Sequence, residues 1–313
     1  MKPVTALLPM YNSISDVGWE AVELQIRSVL DQTYTNLRLI VLNDGSTDDT
    51  PARVEQEFGG GRVEVRHNER NLGLVGSVER LLSFVETDYY ALVDHDDCWE
   101  RDKIAKTVAR LEETGADLAY TDLRVVDSNL KEIAPSSLRY SNMPRLEGKN
   151  PWPLLIKNPI HGCTAVGRRE NIKSMLPFPQ GIPMHDRWIG LCACLGKGLA
   201  YVDEPLMLYR QHGANASGDL PFSPAGLKRR SRGNLWQYLR NRLAGRLAYA
   251  RGLSRLMPDS KSLKLLTLYY KSPRILRLLC ALPYLLTILA LAHAIGPRNI
   301  LADTTLTSLA PKE

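Results

Sequence analysis

The segment Tyr89–Trp99, YYALVDHDDCW, sets a run of five apolar or aromatic residues directly before Asp94, His95, Asp96 and Asp97. A short unbroken apolar run fits a strand buried on both faces, as in a parallel sheet. Polar residues then gather where that strand ends, the edge at which open α/β sheets hold ligands. Carboxylates one residue apart in a turn can both face a hard divalent cation, which takes oxygen ligands and completes its shell with water or substrate phosphate. Such an ion would stabilise a diphosphate as a leaving group. The competing reading is that Asp96 or Asp97 caps a helix beginning near Glu100. A cap needs one carboxylate, whereas this segment supplies three.

The same pattern recurs upstream. Apolar runs at Val4–Leu8, Leu37–Leu42 and Val63–Val65 alternate with helical spacing over Trp19–Leu30, Thr50–Phe58 and Leu74–Val85. Strands separated by helices of this length predict βαβ units. Each run again ends in polar residues: Tyr11 and Asn12 after Pro9, Asp44 after the second, Asn68 and Asn71 after the third. LNDGSTDDT (42–50) reads as a strand-to-helix turn, with Gly45 at positive φ and Ser46 or Asp48 as a cap. Asp44 in that turn can also hydrogen-bond a base or sugar. Asn71-Leu72-Gly73 leads into a helix whose first amides could face an anion, and a plain loop fits equally well. Downstream, strands are expected at 117–127, Thr164–Val166 and Leu199–Tyr209, a helix at Asp186–Leu195, and a proline-rich loop at 135–160.

Charge divides the chain in two. Residues 1–220 hold 24 Lys and Arg against 31 Asp and Glu, whereas residues 221–300 hold 15 basic residues and one acid, Asp259. The formal net charge of +6 is therefore a cancellation. Within the basic part, 224–257 and 261–277 have helical patterning, and 278–296 is a run of nineteen residues without a charge. At ~1.5 Å per residue that run is about as long as a bilayer core is thick, but Pro283 and His293 make a re-entrant or interfacial segment as good a reading as a span. Basic residues interleaved with leucine and tyrosine before it fit an anionic membrane surface, with that side cytoplasmic. A nucleic acid would not require the charge-free run, and nucleic-acid binding is not expected. The five cysteines show no Cys-x-x-Cys spacing, so reduced, buried thiols in a cytosolic compartment are expected. MKPVTALLPMYN has too short an apolar stretch for a signal peptide.

Taken in order, PMYN, NDGSTDDT, NERNLGLVGSVERLL and LVDHDDCW resemble the nucleotide-binding half of family-2 glycosyltransferases. MHDRWIG (184–190), YRQHGANASG (209–218) and IHGCTAVGRRE (160–170) resemble the second half of that family, its rhamnosyltransferase branch in particular. The resemblance implies an α/β GT-A fold: a mostly parallel sheet flanked by helices, here with a basic helical C-terminal extension. It assigns Pro9, Tyr11, Asn12, Asp44, Asn71, Asp94 and Arg210 to the nucleotide-sugar donor. It assigns Asp94, Asp96 and His212 to a divalent cation, Mg²⁺ or Mn²⁺, and Asp186 to the role of general base. His185 and Trp188 would shape the acceptor or sugar pocket. Ser77 stands where relatives often have Asn. The implied activity is inverting transfer of a sugar, rhamnose from dTDP-rhamnose as first choice, onto a saccharide or lipid-linked saccharide. The alternatives are a UDP-hexose donor, or a non-catalytic membrane-bound module. The expected boundaries are 1–218 for the catalytic domain, 219–261 for the basic extension, 262–300 for the membrane-associating segment and 301–313 for a tail. Localisation would be the cytoplasmic face of the membrane, peripheral or C-terminally anchored.

Overall fold

The computed structural model describes residues 1–211 and 235–260. Its first hundred residues run β1 (Val4–Met10), α1 (Ser13–Val17), α2 (Trp19–Leu30), β2 (Leu37–Asn43), α3 (Thr50–Phe58), β3 (Val63–His67), α4 (Gly73–Ser83) and β4 (Tyr89–Leu92). The strands line up β3-β2-β1-β4, all parallel, with Leu7 opposite both Ile40 and Leu92. All seven residues of β1 are buried, as its unbroken apolar run requires. Val22, Ile26 and Val29 of α2 pack into the same core.

The apolar run ends at Leu8, yet β1 continues through Pro9 to Met10. Val93 N–H donates to Leu7 O and Asp44 N–H to Met10 O, so odd-numbered residues of β1 face β4 and even-numbered ones face β2. Pro9 thus faces the β4 side at a point where β4 has already ended. Its missing N–H breaks no ladder bond.

The chain goes on through β5 (Cys98–Trp99), α5 (Lys103–Thr114), β6 (Leu118–Val126), β7 (Glu132–Ala134), α6 (Ser137–Tyr140), α7 (Trp152–Ile156), β8 (Ala165–Arg168), α8 (Arg169–Met175), α9 (His185–Leu195) and β9 (Leu199–Arg210). The full order is β3-β2-β1-β4-β8-β6-β9-β5, with β7 on β6. Here the expected parallel pattern changes. β8 runs antiparallel to β4 and β6, β5 antiparallel to β9, and the sheet is mixed. From β6 the proline-rich stretch reaches the start of the sheet at Gly148, which bridges Leu199, and then turns back through α7, so β8 enters running against β6. A strand that returns this way is antiparallel. It thereby brings His161 and Gly162 to the same edge as the ends of β1 and β4.

Among the described residues, Pro179–Gly181 and 238–260 belong to a second compact unit. It contains most of α10 (Leu235–Leu256), a helix with five arginines and no acidic residue. The expected basic helix is therefore present from Leu235. The stretches 219–234 and 261–313, with the charge-free run 278–296, lie outside the described residues. Among the described residues, no helix is long and apolar enough to cross a membrane.

Candidate active site

A cavity of about 270 Å³ opens at the carboxyl ends of β1, β2 and β4. One wall is built by the first hundred residues: Pro9, Met10 and Tyr11, then Asp16, Asp44, Ser77 and the loop Asp94–Asp96. The other wall carries His161, Gly162, Met184, His185, Asp186 and Tyr209.

The loops of the first wall are tied to one another. Asn12 has a left-handed backbone, φ 50°, and its Oδ1 accepts from Thr47 N–H at 2.7 Å. Ser46 Oγ accepts from Asn12 N–H at 3.0 Å, and Asp48 Oδ2 from Ser15 N–H at 3.0 Å. Gly45 has the positive φ its turn was expected to need, +75°, with Asn71 N 3.2 Å from where a Cβ would stand. Asp44 is buried and lines the cavity. Its Oδ1 accepts from Asn68 Nδ2 (2.6 Å) and Leu72 N–H (2.8 Å), and its Oδ2 from Gly73 N–H (2.8 Å). The carboxylate thus clamps the end of β2 to the start of α4. Asn71 stands off the cavity wall, its Oδ1 accepting from Gly73 N–H.

The acidic loop caps no helix. α5 begins at Lys103, and Asp97 Oδ1 accepts instead from Arg210 N–H at 3.2 Å. Arg210 itself departs from the expected donor contact. It is buried, with Nε donating to Asp96 O (3.0 Å) and Nη1 to Ser128 O (2.8 Å). It braces the loop from behind because its guanidinium is engaged by backbone carbonyls. His212 lies outside the described residues.

Burial pushes the Asp94 carboxyl up to about 6, with Asp96 and then Asp186 adding to the effect. Burial likewise lifts Asp186 to about 6, against the Arg187 N–H that holds its carboxylate form. Both His161 and His185 are pulled down to about 4 by burial and face the site as neutral imidazoles. His185 lies on Gly162, where an added Cβ would come within 2.6 Å of Nε2. His185 Nδ1 is buried without a hydrogen-bond partner among the described residues.

Trp188 is a second correction. It is 2% exposed and absent from the cavity wall, and its indole donates to Met175 O at 2.9 Å. On α9 it falls on the face turned to α8, two positions past Asp186, and serves the core rather than a sugar. Trp188→Ala is therefore expected to destabilise the fold by about 3–5 kcal/mol without changing donor affinity, measured by denaturant unfolding and ligand titration.

The sequence reading gave no role to several wall residues. His95 Nε2 contacts Asp16 Oδ2 at 3.1 Å, joining α1 to the acidic loop. His161 lines the cavity while its Nε2 contacts Ser137 Oγ at 3.1 Å. Asp16 lies on a five-residue helix, and no motif marks it.

The family model for glycosyl transferase family 2 matches residues 5–176. The chain belongs to that family. It is 26% identical over 179 residues to UDP-Glc:alpha-D-GlcNAc-diphosphoundecaprenol beta-1,3-glucosyltransferase WfgD of Escherichia coli, covering 56% of this chain and 64% of that one. It is 25% identical over 228 residues to dTDP-rhamnosyl transferase RfbG of Shigella flexneri, covering 66% and 76%. The chain spans less than two thirds of the length of several curated relatives it matches, WfgD included. Among solved structures it resembles the mannosyltransferase PcManGT of Pyrobaculum calidifontis in complex with GDP-Man and Mn²⁺, with TM-score 0.56 at 16% identity, covering 96% and 82%. It also resembles S. aureus TarS 1-349 in complex with UDP-GlcNAc, with TM-score 0.54 at 17% identity, covering 83% and 74%. The family-2 chain has the GT-A fold, built on a mixed sheet flanked by helices.

Proposed function

We propose that this family-2 chain is a divalent-cation-dependent, inverting glycosyltransferase that moves a sugar from a nucleotide diphosphate donor to a saccharide acceptor. The observation that carries the reading is that Asp94, Asp96 and Asp186 all line a single cavity. The donor set at Asp94 and Asp96 is all oxygen and sits at a strand end, where burial and then the neighbouring Asp96 push the Asp94 carboxyl up to about 6. It suits Mg²⁺ or Mn²⁺. When bound, such an ion would supply charge neutralisation to the departing diphosphate.

The chain's own residues do the rest. Asp186 takes the proton from the acceptor hydroxyl as its oxygen attacks the anomeric carbon from the face opposite the diphosphate, and the configuration inverts. Neutral His185 offers a buried ring nitrogen to a hydroxyl of donor or acceptor. Tyr11, 48% exposed at the rim, offers a ring face to the base. The first wall thus holds the donor and the second meets the acceptor.

For the donor, dTDP-rhamnose is the first choice, supported by the YRQHG segment and by the similarity to RfbG. A UDP-hexose is the second, supported by the similarity to WfgD. The acceptor is a lipid-linked saccharide in cell-surface polysaccharide synthesis. Catalysis belongs to 1–218. The basic extension 219–261 and the segment 262–300 hold the enzyme to anionic lipid at the cytoplasmic face, where such an acceptor is anchored.

Thermal unfolding with Mn²⁺ and a panel of nucleotide sugars tests the donor. A ligand at one hundred times its Kd stabilises by about 2.7 kcal/mol. dTDP-rhamnose is expected to raise Tm more than UDP-glucose or UDP-GlcNAc. The reverse order replaces rhamnose by a hexose, and protection by none of them removes the transferase reading.

A further inference from the structure

Asn68, the first residue after β3, is buried behind Asp44 and is not part of the cavity wall. Its Nδ2 donates to Asp44 Oδ1 at 2.6 Å and to Ser77 Oγ at 3.2 Å, and its Oδ1 accepts from Arg80 Nη1 at 2.7 Å. A guanidinium only donates and an ionised carboxylate only accepts, so the partners on either side fix which end of the amide faces which. Turning it over would set its oxygen against Asp44 and its NH₂ against Arg80. The backbone is held as well, with Asn68 N–H donating to Asn43 O at 2.8 Å.

An ionised carboxylate has about four places for donors, two on each oxygen. At Asp44, Asn68 Nδ2 and Leu72 N–H take both places on Oδ1. Gly73 N–H, shared with Asn71 Oδ1, takes one place on Oδ2. Among the described residues nothing takes the second place on Oδ2, and Asp44 lines the cavity. The carboxylate therefore has room for one more donor, on one oxygen. A guanine edge sets N1–H beside N2–H, a pair that spans both oxygens of a carboxylate as a guanidinium does. With Oδ1 full, one of those donors would be left buried and unsatisfied. The edge of uracil or thymine brings a single donor, N3–H, and asks for one place only.

We infer that Asn68 is a positioning residue that sets base specificity: by filling Oδ1 of Asp44 it leaves one acceptor place, which admits the imide N–H of a uracil or thymine nucleotide and rejects the paired N–H edge of guanine. The inference rests on the donor reading above, with Asp44 at the base. Arg80 supports the same selection from the protein side, because it holds the amide with Nδ2 toward Asp44.

Calorimetric titration of the full chain with UDP, dTDP and GDP in the presence of Mn²⁺ tests it, since these probes carry the base without a sugar to transfer. The wild type is expected to bind UDP and dTDP at least about tenfold more tightly than GDP. Asn68→Ala opens a place on Oδ1 and frees the carboxylate to turn. It is expected to weaken UDP by about five- to tenfold and GDP by less, so that the preference shrinks by at least about threefold. A general loosening of the fold would weaken all three alike and leave the preference where it was. In turnover, the Asn68→Ala loss falls on the KM for donor rather than on kcat. A smaller change in preference overturns the inference, as does a loss confined to kcat. If Asn68→Ala does not fold, Asn68→Ser replaces it, keeping an oxygen for Arg80 while too short to reach Asp44; failure of both to fold overturns the inference. A wild-type chain that binds none of the three probes overturns the donor reading and this inference together, whereas one that binds GDP as well as UDP overturns this inference alone.

Discussion

Asp186→Asn is expected to lower transfer by about 10²–10⁴-fold while donor and cation still bind as in the wild type, since the change removes a proton acceptor and little else. Single-turnover transfer and donor titration on the same preparation check both halves, and normal turnover would remove Asp186 as the base. The carboxyl is lifted to about 6, so wild-type transfer falls as pH drops through that value, where the base becomes protonated. Its stability effect has the opposite sense. The folded-state value lies above the ordinary 3.8, so the native state favours the protonated form. That contribution is present below about 4 and is lost as pH rises through about 6. Asn, which never ionises, escapes the loss. The inactive variant should accordingly be at least as stable at neutral pH, which separates lost chemistry from lost folding.

Asp96→Ala is expected to impair both binding and transfer, with kcat/KM lower by on the order of 10²-fold or more. EDTA should abolish wild-type transfer and Mn²⁺ should restore it, whereas the variant should stay impaired at the same Mn²⁺ concentration. Activity that persists in EDTA would refute the cation's role. Unlike Asp186→Asn, this change should also weaken donor protection against thermal unfolding, because Asp96 stands on the wall assigned to the donor.

Where the cavity lining is written into a contiguous run, its place in the fold was legible in the sequence. YYALVDHDDCW announces a buried strand and a charged edge through its composition, and β4 with Asp94–Asp96 at the cavity follows. The same holds for Gly45, whose turn needs a positive φ, and for Asp186 at the start of α9. Orientation was less legible. Arg210 follows a strand in a motif full of polar groups, but whether its guanidinium meets a ligand or a carbonyl depends on Ser128 and Asp96, which only the fold brings near. Trp188 is similar: a residue near Asp186 on α9 can face the cavity or the core, and a helical rotation of two positions decides it. The antiparallel entry of β8 was hidden because strand direction is set by the loop before it, and the loop 135–160 has no periodic pattern. Asp16 and His95 meet across 79 positions, a pairing that local spacing cannot encode.

The junction at β4, parallel to β1 on one side and antiparallel to β8 on the other, bears on how such enzymes diversify. Under the proposed function, the donor-side residues that line the cavity precede residue 97, and the acceptor-side ones follow residue 160. Recombination between relatives could therefore exchange one specificity and keep the other with a single crossover in 135–160. Beyond the long β6–β9 pairing, the graft would have to respect close fits between the halves. It must carry a glycine at 167, where a Cβ would come within 2.3 Å of the Tyr90 ring, and an arginine at 210 to brace Asp96.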